Sequence, residues 1–533
     1  MSGSQLIHRW RAGAALVAVA VLATATVATA QSALVDYETS AKAAQVQQAA
    51  AWRLAFRPPM SVLAQTVSQL RAAPGVSPEV AAQVDALSRQ AEGEKPPEAR
   101  RTVWRAVALL TGQAWTPGQE LLGALALRSP APVWTGKGDP LTFEAAYPVP
   151  AAARGATYVI DLYSSEPTTS ATPKLGARIR TVATGRLGAQ PPKSIPISLK
   201  DAPDGAYLLV ATISAGPNTT GRLVQPIYLV RDLDRRATAL KADLASISGH
   251  EPAKAIAEYP FALAKALNAG AREIVSYDFP AAISRSQKIV ADLKAGRDDV
   301  WQAKGLQNRA YRFAETGELV PYQVFAPSAW TPDRKWPLVV ALHGANLDET
   351  NMLGRNDAQM QKLADRHGFV VVAPLGYRLN SAYGSQRGFS RAIAGDQDER
   401  KHRSELDVLR VTELVEAEYN IDPHRRYLTG NSMGGGGTWW IGGQHPELWA
   451  ALAPGAYGGV LPEDAPGLAK TPIFAVVGDR DELGMLDRVR ASLATLRAAG
   501  VSPIYLEVSG GTHSSAYDRA LPEIFNFFEN HAK

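Results

Sequence analysis

Apolar positions along this chain change their period several times, and each change marks a different kind of element. Between residues 32 and 127, side chains such as Val62, Leu63, Val67 and Leu70 recur at helical spacing, with breaks at Pro58-Pro59, Pro74-Gly75 and Pro96-Pro97. Residues three and four apart share one face of a helix, and Pro and Gly pairs end helices, so the stretch predicts a small helical unit. From about Val133 to Val230 the texture turns to short alternating runs, among them 157–163 and 206–211, separated by Pro, Gly and Asn. Period-two runs of this kind predict strands, and a stretch of this length predicts a β-sandwich of immunoglobulin-like shape. Leu233 to Gly305 returns to helical spacing with many charges and alanines, which predicts a helical connector packed against one neighbour. No repeat of fixed period joins the two helical parts.

The remainder reads differently. Pro337–Leu342, Arg426–Thr429, Pro472–Val477 and Pro503–Val508 are short apolar runs bounded by turn residues. Strands covered on both faces carry such runs, so this part predicts a mostly parallel sheet flanked by helices. The chain of 533 residues exceeds what one core can organise, and the predicted divisions are 1–30, 31–128, 129–232, 233–305 and 306–533.

Composition adds a compartment. His8, Arg9 and Arg11, the apolar stretch Ala14 to Val27 and the small residues Ala28-Thr29-Ala30 predict a secretory signal cut after Ala30, and hence a secreted or periplasmic protein. That apolar stretch falls short of the ~20 residues a membrane span needs, and none later is longer. With no cysteine, the chain has neither disulfides nor a cysteine for lipid attachment. The formal charge of +5 is a small surplus without a Lys/Arg stripe interleaved with aromatics, which argues against a nucleic-acid partner. Asn218-Thr219-Thr220 reads as a turn rather than a glycosylation acceptor.

The chemistry centres on Gly430-Asn431-Ser432-Met433-Gly434, directly after an apolar run. Glycines two residues either side of a serine suit a strained strand-to-helix elbow, where a Cβ would strike the neighbouring strand or helix. A serine hydroxyl needs a base and an acid to orient that base. The run 472–477 leads into Gly478-Asp479-Arg480-Asp481. Asp481 is preferred as the acid because the turn carries it beyond the strand tip, whereas Asp479 would brace the turn. The run 503–508 leads into Ser509-Gly510-Gly511-Thr512-His513, which makes His513 the base. His445 and His531 follow no strand and read as ordinary helix-end and tail histidines. The run 337–342 ends in His343-Gly344-Ala345-Asn346, where the Ala345 N–H, with that of Met433, could stabilise an oxyanion, while His343 pins the loop.

From about Tyr311 onward the chain resembles the secreted esterase family that includes polyhydroxybutyrate depolymerase-like and feruloyl-esterase-like α/β-hydrolases. The resemblance is carried by Leu342-His343-Gly344, Val372-Ala373-Pro374, Glu405-Leu406-Asp407-Val408 opening a helix, and Ile421-Asp422-Pro423-His424-Arg425 before the elbow. It continues through Ser432-Met433-Gly434-Gly435, Gly437-Thr438-Trp439 and His445-Pro446-Glu447. It implies hydrolysis of carboxylic esters, small or polymer-linked, with no metal and no other cofactor, by a triad of Ser432, Asp481 and His513. The missing cysteines depart from the depolymerase-like members. Prolyl-oligopeptidase-type peptidases share this grammar, so peptide hydrolysis stays open, as does a polymer-binding protein with an inactive hydrolase unit. The polar stretch 376–405, with Tyr377, Tyr383 and Phe389, is expected to overhang the site or to form a surface loop. Trp439 and Trp440 are expected to pack on the sheet or line the pocket rim.

Overall fold

The computed structural model describes residues 40, 43–136, 140–149, 155–166, 173–188, 192–216, 218–385 and 397–533. The expected leader at 1–30 and Phe389 lie outside the described residues. Of the expected breaks, Pro59 directly precedes the helix Met60–Arg71, Pro74-Gly75 lies in the turn after it, and Pro96-Pro97 opens the next helix but one. Pro78–Glu92, Pro96–Leu110 and Pro117–Ala124 each carry Pro in the first turn, where its missing N–H costs no hydrogen bond. Ser77 and Thr116 cap two of them by accepting from Val80 N and Gln119 N. The apolar faces of the first two of these three helices meet those of Met60–Arg71 and the helix at 43–55 in one cluster that includes Leu54, Leu63, Val84 and Val107, whereas Leu121 and Leu122 of the third join the core of the sheets that follow.

Two sheets follow. The first holds β1 (Leu125–Arg128), β3 (Pro140–Ala145) and β6 (Ile195–Pro196). The second runs in the order β2 (Val133–Trp134), β8 (Thr220–Leu229), β7 (Gly205–Ser214), β4 (Thr157–Glu166) and β5 (Lys174–Arg186). Leu125 and Phe143 from one sheet share a core with Ile160, Leu209 and Leu229 from the other. Strand β1 falls inside the stretch expected to be helical. Its apolar Leu125-Ala126-Leu127 pairs antiparallel with 143–145, and such a distant partner is invisible in local spacing.

The connector is three helices, Leu233–Ala245, Glu251–Asn268 and Phe279–Lys294. It was expected to pack on one neighbour and instead reaches both, because its core includes Val133 and Val230 on one side and Ala310 and Leu319 on the other. Helix 251–268 is apolar well beyond a single stripe, burying Ile256, Tyr259, Phe261 and Leu263 among others, so it can serve two faces.

The C-terminal sheet has eight strands: β9 (Gly305–Arg312), β10 (Leu319–Ala326), β11 (Trp336–Leu342), β12 (Val370–Pro374), β13 (Ile421–Asn431), β14 (Ala451–Gly455), β15 (Phe474–Gly478) and β16 (Ile504–Val508). Their order is β16-β15-β14-β13-β11-β12-β10-β9. Strands β11 to β16 pair in parallel and β9 and β10 antiparallel. Every residue of β11 is buried, as the continuous apolar run requires, with a core on each face of the sheet. After β11 the chain goes first to one side, as β12, and then to the other, as β13. The C-terminal ends of β11 and β13 therefore flank a topological switch point, where open parallel sheets bind ligands. The stretch 376–405 is not one loop: a helix begins at Gln397 and runs to Tyr419, so Glu405 lies within it rather than at its start. Among the described residues no helix is long and apolar enough to cross a membrane.

Candidate active site

Ser432 stands where β13 becomes the helix Met433–Gln444, with φ +58° and ψ −122°. A non-glycine residue at positive φ is strained and persists only where its surroundings enforce it. Here Ser432 N donates to Gly455 O at 2.9 Å, tying the turn to β14. The flanking glycines leave no room for anything larger. A Cβ on Gly434 would overlap the Leu342 carbonyl, and one on Gly430 would strike the Gly434 carbonyl. The helix thus starts almost in contact with the sheet, and Met433 N, in its first turn, has no carbonyl one turn back to donate to.

Strand β15 leads into the candidate acid. Asp479 is exposed, and its N–H donates to Val508 O at 3.2 Å, closing the turn. Two residues on, the Asp481 side chain is fully buried, with Oδ2 2.8 Å from His513 Nδ1. Its other oxygen accepts from Leu483 N at 2.9 Å and Met485 N at 3.4 Å, so the carboxylate is held from both sides. With Nδ1–H donated to Asp481, the second ring nitrogen keeps its lone pair. That atom, His513 Nε2, is buried and makes no hydrogen bond to Ser432 Oγ or to any other group among the described residues. Catalytic contacts are often loose before substrate binds. The two loops nonetheless adjoin: Asn431 Nδ2, one residue before the serine, donates to His513 O at 3.4 Å.

The histidine loop is fastened by residues that local sequence did not single out. Glu482 Oε2 accepts from His513 N at 3.0 Å. Arg355 donates to Ser514 O at 3.3 Å and pairs with Asp518 at 2.8 Å. Gly478 lies so close to Gly511 that a Cβ on Gly478 would overlap the Gly511 carbonyl. An acid directly after Asp481 was the only local sign of Glu482's part.

On the other side of the serine, His343 is fully buried, with ring nitrogens 2.8 Å from Gly344 O and 2.8 Å from Leu375 O. Burial lowers its pKa against the pull of those carbonyls, and the two contacts make the ring a pin for the loop. Tyr383 donates to His343 O at 3.3 Å. Ala345 is half-buried beyond Gly344, whose missing Cβ would sit 3.6 Å from Ser432 Cβ. The next residue, Asn346, has φ +61° and exchanges hydrogen bonds with Asn380 at 2.9 Å in each direction. The Ala345 N–H is thereby carried on a braced turn beside the serine.

Tyr377 and Tyr383 are buried rather than overhanging an open pocket. Their segment is moored by Asp407, which accepts from Tyr311 Oη at 2.6 Å and from Tyr377 N at 2.9 Å. Burial pushes the Asp407 carboxyl up to about 6 despite those hydrogen bonds. Trp439 is buried and donates to Tyr457 O at 3.0 Å. Trp440 donates to Glu405 Oε2 at 3.0 Å, and His445 Nε2 lies 2.8 Å from Glu405 Oε1. His445 is thus more than a bare helix end, whereas His531 sets Nδ1 2.6 Å from Phe527 O, one turn back.

The His445 pair has a pH signature. The hydrogen bond to Glu405 raises the His445 pKa, while Glu405, pushed up by burial, is pulled below its ordinary value by His445 and Trp440. A raised histidine stabilises fully below its unfolded value of about 6.5, and that stability is lost as pH rises through the folded value. The Tm gap between wild type and His445→Gln should therefore shrink between about pH 6 and about pH 9; a gap constant across that range would contradict the pairing.

A mixed eight-stranded sheet between helices, with a serine on a tight elbow at its switch point and a His-Asp pair on adjoining loops, is an α/β-hydrolase-like fold. Residues 314–458 match the Esterase family, described as "Putative esterase". The chain is 32% identical over 178 residues to the bifunctional acetylxylan esterase/xylanase XynS20E of Neocallimastix patriciarum, covering 33% of this chain and 23% of that one. It is also 32% identical over 123 residues to poly(3-hydroxyalkanoate) depolymerase C of Paucimonas lemoignei, covering 23% and 28% of the two. The chain thus spans under a third of the length of these two relatives. Among solved structures, a thermostable esterase is similar with 16% identity and a TM-score of 0.36, covering 77% of this chain and all of that one.

Proposed function

We propose that the protein is a serine hydrolase of carboxylic esters, exported by residues 1–30, with Ser432 as nucleophile, His513 as base and Asp481 as the acid that orients it. The observation that carries this reading is the buried 2.8 Å contact between His513 and Asp481 on loops adjoining the Ser432 elbow. His513 Nε2 takes the Ser432 proton as Oγ attacks the ester carbonyl, and the N–H groups of Met433 and Ala345 receive the oxyanion. The imidazolium returns the proton to the departing alcohol, leaving an acyl-enzyme. Water deprotonated by the same histidine then releases the acid, and the Asp481 carboxylate stabilises the cation in both halves. The two sheets spanning residues 125–229 are proposed to form an immunoglobulin-like accessory unit.

A fluorophosphonate probe is expected to label the wild-type chain and not Ser432→Ala, because phosphonylation needs an activated serine. An unlabelled wild type would mean an inactive hydrolase unit. Turnover of p-nitrophenyl acetate with no cleavage of an aminoacyl anilide is the expected specificity, and preference for the anilide would place the protein with peptidases.

A further inference from the structure

A cavity of about 930 Å³ lies between the N-terminal helices and the five-stranded sheet, and none of its described lining residues comes from the C-terminal unit. The helix at 43–55 contributes Gln48 and Trp52 to one wall, β5 and β8 contribute Lys174 and Arg222, and Arg57 and Trp104 also line it. Its described lining contains no aspartate or glutamate; apart from the three cations it consists of tryptophan, aliphatic, small, threonine and glutamine residues.

Arg57 makes this cavity electrostatically unusual. Only 7% exposed, it donates to three backbone carbonyls: Nε to Leu125 O at 2.7 Å, and its terminal nitrogens to Leu54 O at 2.7 Å and Leu122 O at 2.6 Å. Its guanidinium lies over the Trp104 ring at 4.4 Å. Among the described residues no carboxylate pairs with it. Burial, reinforced by the like charges of Arg100 and Arg128, pulls its pKa down to about 9. A guanidinium has five N–H groups, so two remain beyond these three hydrogen bonds. Among the described residues this buried cation is met by carbonyl dipoles and the Trp104 ring and by no opposite charge, so an anion in the cavity would gain from it.

We propose that this cavity binds a small amphiphilic carboxylate, with an aromatic or aliphatic body against Trp52 and Trp104 and its carboxylate toward Arg57, Lys174 and Arg222. Such acids are what ester cleavage releases. Only that statement of their source rests on the proposed function; the binding does not.

Calorimetric titration of the full chain with 4-phenylbutyrate, 4-phenylbutanol and acetate tests the proposal. Saturable binding of 4-phenylbutyrate is expected, with the alcohol at least about tenfold weaker and acetate showing no saturation, since charge and apolar body are both needed. Lys174 and Arg222 are exposed, so Lys174→Glu with Arg222→Glu should preserve the fold. That double variant should weaken 4-phenylbutyrate about tenfold or more and leave p-nitrophenyl acetate turnover unchanged, while Trp52→Ala should weaken both phenyl compounds. Equal affinity for acid and alcohol, no saturation at millimolar concentration, or full binding by the charge-reversed variant would each overturn the proposal. The last outcome would assign the acid to the cleft beside Ser432. Failure of ester turnover alone would bear on the proposed function and leave the binding result standing.

Discussion

Ser432→Ala is expected to lower kcat on a simple ester by a factor on the order of 10³ to 10⁶ while leaving KM and thermal stability close to wild type. The substitution removes one half-buried hydroxyl and alters nothing that holds the elbow: Ser432 N still reaches Gly455 O, and Gly430 and Gly434 still clear their neighbours. What disappears is the proposed nucleophile, so any surviving rate would come from the proposed oxyanion donors and binding alone. Steady-state kinetics beside a melting curve separates this from unfolding. Retained esterase activity in a folded variant would move the nucleophile elsewhere.

Gly434→Ala is expected to act through the fold, with a loss of about 3 kcal/mol or more and inactivation along with it. The added methyl has no space to enter, since the atoms facing it are the backbone carbonyls of Leu342 and His343. Relief requires the Met433–Gln444 helix to lift away from β11, and that movement separates Met433 N from the Ala345 loop. Chemical denaturation measures the first effect and fluorophosphonate labelling the second. A stable, fully labelled variant would mean that the helix has more freedom than its contacts imply. At Gly443, by comparison, the nearest atoms are Leu468 side-chain carbons at 3.5 Å, so Gly443→Ala should be mild.

Much of the fold was legible because strands buried on both faces leave unbroken apolar runs, and β11, β15 and β16 lie within two residues of where those runs stand. The elbow was legible for a related reason, as backbone crowding writes itself as glycine. The turn that sets Asp481 rather than Asp479 against His513 could be read from chain geometry, because one strand tip supplies both residues. Partners far apart in sequence left no such trace. Glu482 meets the backbone of residue 513, Glu405 meets His445, and Asp407 gathers Tyr311 and the Tyr377 N–H. Glu405 and Asp407 stand in a stretch that carries the esterase resemblance, yet neither there nor at Glu482 does the local pattern name the partner. The two-sided connector was misread for the opposite reason: scattered alanines and charges on 251–268 disguise a helix buried on most of its circumference.

That connector bears on how the C-terminal part can be handled. Ala310 and Leu319 are covered by its helices, and buried Arg272 donates to Leu319 O at 2.8 Å and Tyr377 O at 3.0 Å across the same seam. A recombinant fragment trimmed to begin at Gly305 would bare this greasy seat and leave those two acceptors to water. Its poor solubility would say nothing against the chemistry it carries, and a cut ahead of Leu233 keeps the seat capped.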